Sequence, residues 1–193
     1  MSELKTNKIS PAVGTGVALG DSGDTFTIPS GATIVNSGTA TGFGGGKVLQ
    51  VVHVTTGAVA SSTTVMPYDD TIPQNGEGFE AMSLAITPTM ATSALHIHVV
   101  ANTAGPGGFR SYALFKDAVA GAIASTIEYN GTSQDNTGVI EHRILTGSTS
   151  TITFKVRVGT HVAGTTVFNG NGAAVRMHGG VLSSSITITE IAV

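Results

Sequence analysis

The sequence predicts an all-β protein: a short N-terminal arm and a small β region, followed by a β-sandwich or jelly roll. Three observations lead there. Gly (26 residues), Ser and Thr fill the spaces between apolar residues, so tight turns are frequent. Charged residues make up 11% of the chain and apolar ones 40%, enough for a core but too little charge for the polar faces of amphipathic helices. Runs of alternating polar and apolar residues recur at short intervals and are closed by Gly, Pro or Asn.

Residues 1–22 read as an extended arm, polar at first and then broken by Pro11, Gly14, Gly16 and Gly20. Residues 23–78 read as an N-terminal β region. Thr25-Phe26-Thr27-Ile28 and Ala32-Thr33-Ile34-Val35 have period two, with a turn at Pro29-Ser30-Gly31 between them. Gly44-Gly45-Gly46 breaks the chain, Lys47 to Thr55 is strongly β-prone, and residues 56–80 are turn-rich. From residue 79 to 193 strand follows strand. The expected runs are Ala81–Thr87 (closed by Pro88), Ser93–Ala101, Arg110–Asp117, Ala122–Glu128, Thr137–Thr146, Thr151–Val158, Thr165–Phe168, Ala173–Met177 and Leu182–Ile191. A short helix over Ala118–Thr126 is the alternative for the fourth run, although Gly121 disfavours it.

Composition excludes several classes. Net charge is −3 and the nine basic residues are scattered, which argues against a nucleic-acid partner. No apolar run approaches the roughly 20 residues of a bilayer-spanning helix, so no membrane insertion is expected. There is no Cys, hence no disulfide framework. Met1-Ser2-Glu3-Leu4-Lys5 lacks a signal-peptide pattern, and synthesis in the cytoplasm is expected.

Few residues suggest chemistry. His96 and His98, two apart in SALHIHVV, project from one strand face while Leu95, Ile97 and Val99 take the other. Around a threefold axis they would form stacked imidazole rings able to bind a transition metal; the alternative is solvent or an ordinary subunit contact. His142 is expected on the face of Ile140 and Ile144, opposite Glu141 and Arg143, and semi-buried, as is His53. His161 and His178 lie near turns and could line a shallow surface. Asp21-Ser22-Gly23-Asp24 reads as an Asx-type turn rather than a calcium fragment, and Asp69-Asp70 as exposed loop. GFGGGK fails as a phosphate loop, since Thr41 and Val48 stand where Gly and Ser or Thr are required. Asn130-Gly131-Thr132 is a bare sequon. No acid, base and nucleophile set is present, so no enzyme, catalytic residue or cofactor is expected.

From about Ser83 onward the stretches SLAITPTMATSALHIHVV, YALFKD, TITFKVRVG, FNGNG and SSSITITEIAV resemble the C-terminal heads of bacteriophage tail fibres and related virion proteins. The stretch SELKTNKISPAVGTGVALGDSGDTFTIPSGATI is similar to the start of phage structural proteins, especially from marine phages. The resemblance implies a jelly-roll head of tumour-necrosis-factor-like topology, a homotrimer, and attachment to the host from the virion. The arm would dock on other virion proteins. Loops 102–109, 129–137 and 169–180 would meet a host surface glycan or protein. Two rivals follow: a capsid decoration protein that clamps the shell, and a soluble trimeric lectin-like or signalling module.

Overall fold

The computed structural model describes residues 13–14, 21–25, 27–33, 35, 46–131 and 135–193. The chain divides into two units, Met1–Phe43 and Gly44–Val193. In the first, two turns are described. The Asp24 N–H reaches the Asp21 carbonyl at 3.1 Å and the Asp24 carboxylate accepts the Asp21 N–H at 2.8 Å, a β-turn in place of the Asx-type turn expected there, and the Ala32 N–H reaches the Pro29 carbonyl at 3.1 Å. The described residues of the two expected strands, Thr25–Ile28 and Ala32–Val35, are not in strand. The expected arm lies largely outside the described residues, as do most of Gly42–Lys47 and Thr132 of the sequon.

The described residues of the second unit hold ten strands: β1 (Val48–Thr56), β2 (Ala60–Ser62), β3 (Phe79–Ile86), β4 (Ala94–Ala104), β5 (Gly108–Lys116), β6 (Ala124–Asn130), β7 (Asn136–Leu145), β8 (Ile152–Thr160), β9 (Thr166–Phe168) and β10 (Ser184–Ile191). Alternation sets one face inward, and a residue unable to continue the ladder ends it, as Pro88 does shortly after β3. Ala118–Thr126 forms no helix, and β6 begins inside it.

The strands form two antiparallel sheets. One runs β1-β10-β4-β7, with the short β9-β2 pair beside the far end of β4; the other runs β3-β8-β5-β6. Thr103 pairs with Asn136 on one side and Phe168 on the other, so β7 and β9 occupy opposite edges of β4. Setting aside β2 and β9, successive strands cross from one four-stranded sheet to the other, except for the β5-β6 hairpin within the second, with nested Greek-key connections. That is a jelly roll.

The strand order moves the expected domain boundary. β1, placed by the sequence in a separate 23–78 region, pairs antiparallel with β10, Val52 opposite Ile188 and Val54 opposite Ile186. An edge strand whose partner lies at the other end of the chain belongs to the sandwich, so the head begins near residue 44 rather than 79.

The core lies between the sheets. Leu95, Ile97, Val99, Ile140, Ile186 and Ile188 of one face Met82, Tyr112, Leu114, Phe154, Val156 and Val158 of the other. Residues 63–78, between β2 and β3, then strap the outer face of the second sheet. Met66 is fully buried against Ala113 and Phe115, its N–H bonded to the Thr160 carbonyl at 2.9 Å. Ala122 N–H reaches the Pro73 carbonyl at 2.9 Å, and Gln74 bridges to Gly121. The strap comes so close that a Cβ on Gly159 would stand 2.9 Å from the Met66 Cβ.

Candidate functional site

Three places carry the polar and aromatic chemistry of the head. The first is the outer face of the β1-β10-β4-β7 sheet. Register lines up His53, Thr187, His98 and Glu141 in one row, and Val51, Thr189, His96 and Arg143 in the next. His96 and His98 therefore share one face, opposite buried Leu95, Ile97 and Val99. Their neighbours differ: His98 Nε2 lies 3.9 Å from Glu141, while His96 pairs in register with cationic Arg143. Among the described residues no cluster of three His, Cys, Asp or Glu within one chain could hold a metal. His53 corrects its expectation. Val52 and Val54 take the inward positions, so His53 is exposed and its Nδ1 sits 2.8 Å from the Thr187 hydroxyl. His142 is half-buried on the face of Ile140 and Ile144.

The second place is one end of the sandwich, where the three loops named from the sequence converge. Asn102, Thr103, Asp135, Asn136, Thr137, Gly170, Met177, His178 and Leu182 line a cavity of about 150 Å³. Many of its polar groups are engaged with one another. Thr137 donates to Asn102 Oδ1 at 2.7 Å, and Asn102 Nδ2 donates to the Ser183 carbonyl at 2.6 Å. Behind it, Asn169 is fully buried with a left-handed φ of 54°. Its amide joins three segments, donating to the Thr56 carbonyl at 2.7 Å and accepting from the Ser184 hydroxyl at 2.6 Å. Arg110, also fully buried, donates to Asn136 Oδ1 at 2.7 Å. Burial lowers the pKa of its guanidinium, and Tyr112 and Asp135 oppose that shift. Burial likewise pushes the Tyr112 hydroxyl up, against its hydrogen bond to Thr103. The network holds loops in register, and no nucleophile stands beside a base among these residues. The strand expected at Ala173–Met177 is replaced by a turn. Asn171 Oδ1 accepts the N–H groups of Ala173 and Val175, both at 3.0 Å, which curls the chain back on itself.

The third place is an aromatic shelf on the outer face of the second sheet. Tyr68 of the strap stacks on Phe109, ring centroids 3.8 Å apart and planes within 13°. Tyr129 leans on Phe109 at 5.0 Å, and His161 meets both Phe109 and Tyr68 edge-on. Tyr68 is 51% exposed and Tyr129 66%. The sequence reading missed this cluster because its members come from four segments, joined in the fold by the cross-strand pairing of Phe109 with Tyr129 and by the His161 N–H bonded to the Phe109 carbonyl at 3.2 Å.

No protein-family model matches this chain, and no curated protein matches it either. Among solved structures it is similar to "Structure of Eiger TNF from S. frugiperda", at TM-score 0.48 and 9% identity over 76% of this chain and 94% of that one. It is also similar to part of "Crystal structure of dimeric latent PorU from Porphyromonas gingivalis", at TM-score 0.35 and 9% identity over 78% of this chain and 14% of that one.

One buried charge escaped the sequence reading. Glu190 sits on the inner face of β10, at the end of the sheet opposite the loop cavity, and is fully buried. It accepts hydrogen bonds from the Ser93 hydroxyl, from Gln50 Nε2 at 2.6 Å, and from the Thr89 and Met90 N–H groups at 2.9 and 3.1 Å. Burial pushes its pKa up, but these donors outweigh burial, Ser93 foremost, and hold it at about 2. Glu190 thereby pins the connection between the two sheets.

Proposed function

We propose that this chain is a non-enzymatic virion structural protein, a short fibre or surface protein of a bacteriophage, whose trimeric head contacts the host. The observation that carries the assembly is the open outer face of the β1-β10-β4-β7 sheet. Val51, Val139 and Leu145, all pointing outward, are 56%, 46% and 58% exposed. They stand among Thr187, Thr189, Ser185 and the His rows, a mixed surface suited to packing against further copies. The virion assignment rests on the stretches that resemble phage fibre heads. The arm would dock on other virion proteins, leaving the head outward. The same packing would stack His96 and His98 about the symmetry axis. Metal analysis of protein never exposed to nickel resin tests the metal at that point, and a metal-free assembly removes it.

The test of function is competition. Purified protein added to host cells before the phage should block adsorption in proportion to its concentration. Unimpaired adsorption together with capsids that rupture more easily without this protein would make it a decoration protein instead. If the protein binds neither cells nor particles, the virion reading falls.

A further inference from the structure

We propose that the Tyr68–Phe109–Tyr129 shelf is a binding site for a neutral saccharide. The proposal rests on the reading of the head as an outward binding module and gives that module its ligand class. A pyranose ring has a face of C–H groups and a rim of hydroxyls. An aromatic ring offers a negative π-face that attracts polarised C–H groups, and Tyr adds a polar tip. One face of Tyr68 is taken by Phe109, and its half exposure leaves the other to solvent. Tyr129 extends the surface along β6.

The rim chemistry is on the page as well. Two adjoining hollows of about 70 and 330 Å³ share Asp69, Thr71, Pro73 and Ser125 and run along the strap beside the shelf. The smaller contains Tyr68 itself, with Ser111 and Thr126. Hydroxyls and the carboxylates of Asp69 and Asp70 line this path, and no Lys or Arg does. Such a lining accepts hydrogen bonds from sugar hydroxyls and repels uronates and other acidic sugars. The shelf also lies on the sandwich face away from the open sheet, so it stays free when copies pack through that sheet.

The simpler role for the stack is to pin the strap. Tyr129 separates the two, since it belongs to β6 and not to the strap. The chain has three Tyr and no Trp, so ring-labelled Tyr gives three NMR signals, two from the shelf and one from buried Tyr112. The probes are hexasaccharides of glucose, galactose, mannose and N-acetylglucosamine, with a glucuronate oligomer as the acidic comparison, added to the intact protein. The expected result is saturable movement of the Tyr68 and Tyr129 signals with at least one neutral probe, Tyr112 unmoved. Tyr129→Ala should weaken that binding about tenfold while the protein stays folded. The proposal is overturned if no neutral probe moves the signals, if the acidic oligomer binds more tightly, or if Tyr129→Ala binds equally well. Because adsorption blocking is measured separately, a failed shelf with intact blocking discards only the saccharide site.

Discussion

On the β3-β8-β5-β6 sheet, outward-pointing Ala113 and Phe115 lie buried under Met66 of the strap, whereas on the β1-β10-β4-β7 sheet outward-pointing Val51, Val139 and Leu145 are exposed. Both sheets bury their inner faces in one core, so the difference lies in what each outer face has been given. The first is covered over Ala113 and Phe115 by its own chain, and substitutions under that cover should cost folding stability. The second is open, and substitutions there should cost assembly. The comparison teaches that one jelly roll can cover part of one outer face with its own chain and leave the other outer face open.

The largest effect should come from Glu190, which serves both sheets and is the control for the comparison. Glu190→Ala strands the donors of Ser93, Gln50, Thr89 and Met90 and should cost about 3–5 kcal/mol by denaturant unfolding. The same carboxylate sets an acid limit. Its folded pKa, about 2, lies below the unfolded value of about 4.3, so its contribution is complete above the unfolded value. That contribution, about 3 kcal/mol, is lost as pH falls from about 4.5 toward 2. In Glu190→Gln this part of the acid dependence should vanish, and an unchanged acid midpoint would show that other carboxylates set it.

Met66→Ala comes next. It opens a cavity between strap and β5 and should cost about 2–4 kcal/mol without changing oligomeric mass. A loss below about 0.5 kcal/mol would mean the strap is not part of the fold's stability. Gly138→Ala should follow at about 1–3 kcal/mol, because its Cβ would fall 2.4 Å from the ring of buried Tyr112. On the open face Val139→Asp should change the stability of the single chain least, within about 0.5–1 kcal/mol, yet dissociate the assembly.

How much of this could be read from the sequence depends on distance along the chain. β4, β7 and β10 were legible within a few residues because period two is a local property, and the same property placed His96 and His98 on one face. The alternation Ile186, Ile188 also put position 190 on the core face, so buried Glu190 carried a signal that went unread. β2 is three residues long, too short to show a period. The Ala173–Met177 turn is made by the Asn171 side chain, which competes with the backbone for hydrogen bonds and leaves no mark on hydropathy. The domain boundary and the aromatic shelf could not be seen at all. β1 meets β10 across most of the chain, and Tyr68 meets Phe109 only because the strap folds back over β5.

The measurement that most directly tests the open face as a site of self-association is the solution mass of the intact protein and of Val139→Asp by light scattering. The expected result is a mass near three times the 19.4 kDa chain for the unaltered protein, falling to a folded single chain in the variant. A single-chain mass for the unaltered protein at every concentration, or a variant that assembles as well as its parent, would contradict it.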